Sequence, residues 1–162
     1  MVPAVGDPDL SDGRSLAETI RAGNPDAIAG FTDAHIAKVR SYCAQVCPPD
    51  RIDETCEAAL REFVARIRES DALRVDLGQE LLRATRSAAA GRFELSSQTN
   101  AAVCAVMPEL IAAEANGELR AEVSSLRSHE QECATCAETV QRMRRAEEAF
   151  AHATGWIPAS GR

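Results

Sequence analysis

The chain has 162 residues, 45% apolar and 27% charged, the balance of a folded protein with room for one domain or two small ones. Eighteen basic residues against 25 acidic ones give a net charge of −7, and four Phe, one Tyr and one Trp offer few platforms for base stacking, so direct DNA binding is disfavoured. No apolar run approaches the roughly 20 residues that span a bilayer, and the opening MVPAVGDPDL lacks the basic and apolar regions of an export signal, so a cytoplasmic location without membrane contact is expected.

Ala, Glu, Arg and Leu dominate, and β-branched residues do not alternate, which predicts an all-α fold. After a loose tail over 1–14, Ser15–Ala22 reads as a short helix stopped by Gly23. Asn24-Pro25 is a cap followed by proline at the first helical position, and it opens a helix to about Val46. Ile28, Phe31, His35, Val39, Tyr42 and Val46 form its apolar face at spacings of three and four. Cys47-Pro48-Pro49 ends it, since neither proline can donate to the ladder. Asp50 or Asp53 is the expected cap of a third helix through Arg68, with Ile52, Cys56, Leu60, Phe63 and Ile67 inward. A fourth helix is expected from about Asp71 to Ala90, with Leu73, Leu77, Leu81 and Thr85 inward. The polar run Ser96–Asn100 marks a module boundary, which gives helical modules over 15–95 and 100–153 and a tail over 154–162 in which Trp156 alone could dock. In the second module a helix over Ala101–Ala115 is expected to break near Pro108, Asn116-Gly117 makes a turn, another helix begins near Glu118, and a last one covers Cys133–Ala153.

The six cysteines fall into two groups, and with no export signal they read as metal or redox groups rather than structural disulfides. In Ser128-His-Glu-Gln-Glu-Cys-Ala-Thr-Cys136, the residues His129, Cys133 and Cys136 follow one helical face. A tetrahedral zinc site needs four N or S ligands. Cys104 is the other cysteine of this half, so Cys104, His129, Cys133 and Cys136 are the candidate ligands of Zn2+. Four protein ligands close such a site, which makes it structural or redox-linked rather than hydrolytic. The alternative is that Cys133 and Cys136 are buried small residues and His129 is a surface group. In the first half, Cys43 and Cys47 share a face, with Cys56 beyond the Pro-Pro turn. Without a CxxC or a near histidine they read first as buried apolar residues, with a redox pair or a second metal as the alternative. His35 reads as a packed core group and His152 as a favourable charge at a helix C-terminus.

Cys104, the turn Asn116-Gly117-Glu118-Leu119 and His129-x3-Cys133-x2-Cys136 resemble the zinc-binding anti-sigma domain of bacteria, over about a quarter of the chain. The resemblance implies a small helical zinc domain that covers a sigma factor and blocks its access to RNA polymerase. In some members oxidation links cysteines, expels zinc and releases the sigma factor. Carried over here, that disulfide would join Cys104 to Cys133 or Cys136. The family's amphipathic helix beside the zinc site corresponds to Val140, Met143, Ala146, Glu147 and Phe150, which makes Val140, Met143 and Phe150 candidate partner contacts. The alternative for that stripe is packing within the chain.

Ala22-Gly-Asn-Pro-Asp-Ala27, Phe31 and Val39-Arg-Ser-Tyr42 resemble the start of sigma-factor region 2, and Ile52–Leu60 resembles its acidic polymerase-binding helix. That likeness implies that Asp53, Glu54 and Glu57 face a basic partner. Acids are also favoured at any helix start. The chain departs from the family at 74–94, where Phe93 is the one aromatic residue, and no second promoter-reading element follows. No phosphate loop, nucleophile elbow, HExxH or GxGxxG is present, so no enzyme is expected. The expected function is an anti-sigma-type regulator that binds a sigma factor or an RNA polymerase subunit. The alternatives are a divergent sigma-like factor with a fused zinc module and a zinc-stabilised scaffold.

Overall fold

A computed structural model describes residues 16–71, 75–95, 102–119 and 123–153. The expected tails, the boundary run Ser96–Asn100, Leu73 and Trp156 lie outside those residues. All regular structure described is helical, as the composition predicts. Residues 16–21 form α1, and the N–H groups of Gly23 and Asn24 close it on the carbonyls of Ile20 and Thr19. Gly23 takes φ +79°, the left-handed turn that glycine enters without strain.

α2 (Pro25–Val46) begins where Asn24 accepts from the amides of Asp26 and Ala27, and it ends at Cys47, ahead of the two prolines. A 3-10 turn, Pro49–Arg51, then runs straight into α3 (Ile52–Glu69). The expected Asp50 or Asp53 cap is absent, because Arg51 before the helix is already in the αR region and leaves no extended cap residue. Asp53 pairs instead with Arg40 at 2.6 Å. α4 (Leu77–Ala90) starts later than expected, since Asp76 rather than Asp71 takes the extended cap conformation and accepts from the Gln79 amide at 3.0 Å. Replacing Asp76 with Ala is expected to cost about 1 kcal/mol, read as a lower urea midpoint at unchanged slope.

α5 (Ala102–Ala115) is continuous through Pro108, against the expected break. Pro108 is fully buried, so its packing offsets the roughly 3 kcal/mol that a proline costs inside a helix. Gly117, at φ +72°, and Glu118 close α5 on the carbonyls of Glu114 and Ala113. Glu118 therefore ends one helix instead of starting the next, and α6 covers Val123–Glu132. α7 (Ala134–His152) follows after a break of one residue, Cys133.

Two cores organise these helices. The first joins Phe31, Val39, Tyr42, Phe63, Ile67 and Leu81 with Met143, Ala146 and Phe150 of α7. Phe31 and Phe63 stack with centroids 4.8 Å apart, and His35 stacks on Phe31 while its Nδ1 meets the Phe31 carbonyl at 2.8 Å. The second core is smaller and is built from Cys104, Met107, Leu126 and Cys136. α7 belongs to both. It lies antiparallel to α2, with Lys38 over the Phe150 ring at one end and Arg142 donating to the Gln45 and Val46 carbonyls at the other. Among the described residues no helix is long and apolar enough to cross a membrane.

Candidate metal centre

The second core sets four potential ligands around one point. Cys104 lies in the first turn of α5, His129 in the last turn of α6, Cys133 in the break, and Cys136 in the first turn of α7. The three residues expected on one helical face are therefore divided between two helices, the second starting within one residue of the expected Cys133. Cys133 has extended dihedrals (φ −105°, ψ 112°), its N–H bonds the His129 carbonyl at 2.9 Å, and its own carbonyl accepts from Ala137 at 2.9 Å. The residue ends one helix and caps the next, and its thiol turns toward the helix starts. Three of the four ligands thus stand at helix N-termini, where the peptide dipoles favour thiolates.

The four ligand atoms lie within 4.8 Å of one another. Cys104 Sγ is 3.7 Å from Cys133 Sγ and 3.7 Å from His129 Nε2. Bonds of about 2.3 Å to sulfur and about 2.0 Å to nitrogen give a tetrahedron with edges of about 3.8 Å (S to S) and about 3.5 Å (S to N). A disulfide would need about 2.05 Å. The spacing is that of ligands around an ion, so the tetrad could hold a metal, and three sulfurs with one imidazole are a donor set that suits zinc.

Burial supports a closed site. Cys104 and Cys136 are buried, while His129 and Cys133 are half-buried. Met107 and Leu126 wall it with apolar surface. The Cys133 pKa is lowered, first by the amide of Cys136, against desolvation, and further by the Cys104 and Cys136 thiols. Cys136 is pushed up to about 12, first by burial and then by the neighbouring thiols. One thiol thus charges readily while another resists, and a divalent cation among them would draw all of them into the thiolate form.

The turn before α6 fixes this unit on the rest of the chain. Asn116 is buried, and its Nδ2 donates to the Arg83 carbonyl and to Ser87 Oγ, both at 3.2 Å. Its Oδ1 accepts from Arg86, which also pairs with Glu147 at 2.7 Å. Glu118 reaches Arg66 of α3 at 2.8 Å. Sequence reasoning placed the Asn116-Gly117 turn but missed this role of Asn116, because nothing in a turn dipeptide says which surface its side chain meets.

The other candidate residues are spread apart. Asp53, Glu54 and Glu57 are exposed near the start of α3, and each has an arginine: Arg40 for Asp53, Arg51 and Arg92 for Glu54, and Arg61 for Glu57. Met143 and Phe150 are buried in the first core, so that part of the α7 stripe packs inside the chain. Val140 is half-buried and, with Met143, lines a cleft of about 580 Å³ between α5, α6 and α7. Its apolar floor also includes Ile111 and Ala115, and Glu114, Glu130 and Glu147 stand on its rim. The Glu130 carboxyl has a raised pKa, first from desolvation and then from Glu114.

Comparison with models of protein families, with curated proteins and with solved structures gives no match.

Proposed function

We propose that this chain is a zinc-containing regulator of transcription of the anti-sigma type, which binds a sigma factor or an RNA polymerase subunit and carries out no chemistry on a substrate. The observation behind this reading is the tetrad, in which Cys104 lies 3.7 Å from both His129 and Cys133, close to the edges of a zinc tetrahedron. In this role Cys104, His129, Cys133 and Cys136 hold Zn2+, and the ion ties α5 and α6 to the start of α7. Two surfaces remain for a partner. One is the cleft beside Val140. The other is the acidic edge of Asp53, Glu54 and Glu57, whose ion pairs are exposed and weak enough to be exchanged for a basic partner.

A second reading, a divergent sigma-like factor with its own zinc module, is favoured by the seating of α7 on α2 within one chain. A third is a zinc-stabilised helical scaffold with neither partner. Affinity capture with the purified zinc-loaded protein separates the three. A co-purifying sigma factor supports the first, core polymerase without one supports the second, and capture of neither from a lysate that contains both excludes the first two. Metal analysis with thiol counting before and after mild peroxide tests redox release. One zinc per chain, lost as a disulfide forms, is the switch, and retained zinc is a static site.

A further inference from the structure

Three thiols outside the tetrad meet where α2 joins α3. Cys43 and Cys47 lie one turn apart at the end of α2, and Cys56 faces them from α3. All three are buried; Cys43 is fully closed, while Cys47 and Cys56 keep 4% and 3% of their surface. Cys43, Cys47 and Cys56 all pack in the first core, with Cys43 one helical turn before Cys47. Among the described residues the tetrad is the group of three or more ligand atoms gathered closely enough for an ion.

Its surroundings are those of a reactive thiol. Arg142 of α7 donates to the Gln45 and Val46 carbonyls at 3.3 and 3.4 Å, immediately before Cys47. Arg92 donates to the Ala88 carbonyl at 3.1 Å, and the Cys47 thiol donates to the neighbouring Ala89 carbonyl at 4.0 Å. Arg142 and Arg92 are thus held on the backbone beside Cys47 and beside Ala89, and both favour the Cys47 thiolate. A cationic setting with an adjacent second thiol is the arrangement of a peroxide-sensitive cysteine and its resolving partner.

We propose that Cys47 and Cys43 form a thiol–disulfide couple, in which Cys47 is oxidised by a peroxide and Cys43 resolves the product. The Cys47 thiolate sulfur attacks one peroxide oxygen, the O–O bond breaks, and hydroxide leaves, to be protonated to water. Cys47 is then a sulfenic acid. The Cys43 sulfur gives up its proton and attacks Cys47 Sγ, the S–O bond breaks, a second water leaves, and the S–S bond forms. Two thiols lose two electrons and two protons, and one peroxide becomes two waters. The Cys47 pKa is lowered, first by the neighbouring Cys43 thiol, against desolvation, and further by Thr55, Arg92 and Arg142. The neighbouring Cys47 and Cys56 thiols, and then burial, push Cys43 in the opposite direction.

The backbone allows the bond but not at ideal geometry. Side chains one helical turn apart have Cβ atoms about 5–6 Å apart, whereas a disulfide wants about 3.5–4.5 Å. Cys47 is the C-cap residue, with extended dihedrals (φ −99°, ψ 152°), so it can close that gap without unwinding α2. A bond closed this way is strained and easily reduced, which suits a reversible switch. It would also shift the carbonyls that Arg142 grips, and so couple oxidation to the seat of α7 on α2.

Trypsin isolates the pair. Ser41–Arg51 carries Cys43 and Cys47, and Ile52–Arg61 carries Cys56. The tetrad cysteines fall in Phe93–Arg120 and Ser128–Arg142, so their fate is read separately. The full zinc-loaded chain is treated with one equivalent of hydrogen peroxide, blocked with N-ethylmaleimide and digested. The expected product is Ser41–Arg51 unalkylated and two hydrogens lighter, with Cys56 alkylated and metal content unchanged. In Cys43→Ser, dimedone should trap Cys47 as the sulfenic acid. A doubly alkylated Ser41–Arg51 peptide in the wild-type chain, or a cross-link to Ile52–Arg61, overturns the assignment, and that wild-type readout stands even if the variant fails to fold.

Discussion

Cys136→Ser is expected to abolish metal binding and to melt α6, while α2, α3 and α4 stay folded. A lost ligand should weaken binding by more than the roughly 10–100-fold that removal of an outer-shell partner costs. The consequence for α6 follows from how little else holds it. It has ten residues, fewer than the roughly 12–15 that an isolated helix needs in water. Leu126 is its one side chain in a core among the described residues. Its ion pair, Arg127 with Glu114, is largely exposed and contributes little. The first core is built mainly from α2, α3, α4 and α7, with Ile20 of α1 and Ala112 of α5, and contains none of the four ligands. Amide exchange should therefore quicken over 123–132 to nearly the unprotected rate, with α2 and α3 protected as before, and a chelator acting on the wild-type chain should reproduce the pattern. Full metal content in the variant, or an α6 that stays protected without metal, would remove the ion from the architecture.

The parts of this structure that the sequence made legible are those whose cause is local. Asn24-Pro25 starts α2 and Cys47-Pro48-Pro49 ends it, because a cap and a missing donor act within one turn. The stripe of Phe31, Val39, Tyr42 and Val46 is buried as its spacing predicts. The tetrad was legible for the same reason, since four ligands of zinc-like type with a reversing turn between them leave few other arrangements. The start of the last helix at Cys133 was legible to within one residue, but the one-face reading of His129, Cys133 and Cys136 did not show that the three straddle a helix break. His-x3-Cys-x2-Cys satisfies a continuous helix equally well, whereas the extended Cys133 between α6 and α7 sets its thiol 3.7 Å from that of Cys104. The sequence placed the start of α4 near Asp71, whereas Asp76, five residues later, caps it. The α7 stripe shows the same limit at larger scale, because an apolar face states that something covers it and not what.

Replacing Phe150 with Ala tests what covers it. The ring is 7% exposed in the first core, next to Ala146 at 0% and Met143 at 4%, with the Lys38 ammonium 5.7 Å from its centroid. Truncation of a buried phenylalanine removes its transfer free energy and leaves a cavity that the surrounding helices fill only in part, at a cost of about 3–5 kcal/mol. For a chain of this size that corresponds to a fall in Tm of about 6–20 °C. Val140→Ala, at a half-buried position on the cleft, should cost much less. Metal content should not change, because Phe150 lies fourteen residues along α7 from Cys136, about 21 Å at 1.5 Å per residue. If Phe150 served a partner instead of the fold, the outcome would reverse: stability would be unchanged in the isolated chain, and the loss would appear only in capture of a sigma factor or polymerase. The two measurements therefore decide between α7 as an internal clamp on α2 and α7 as an outward docking helix.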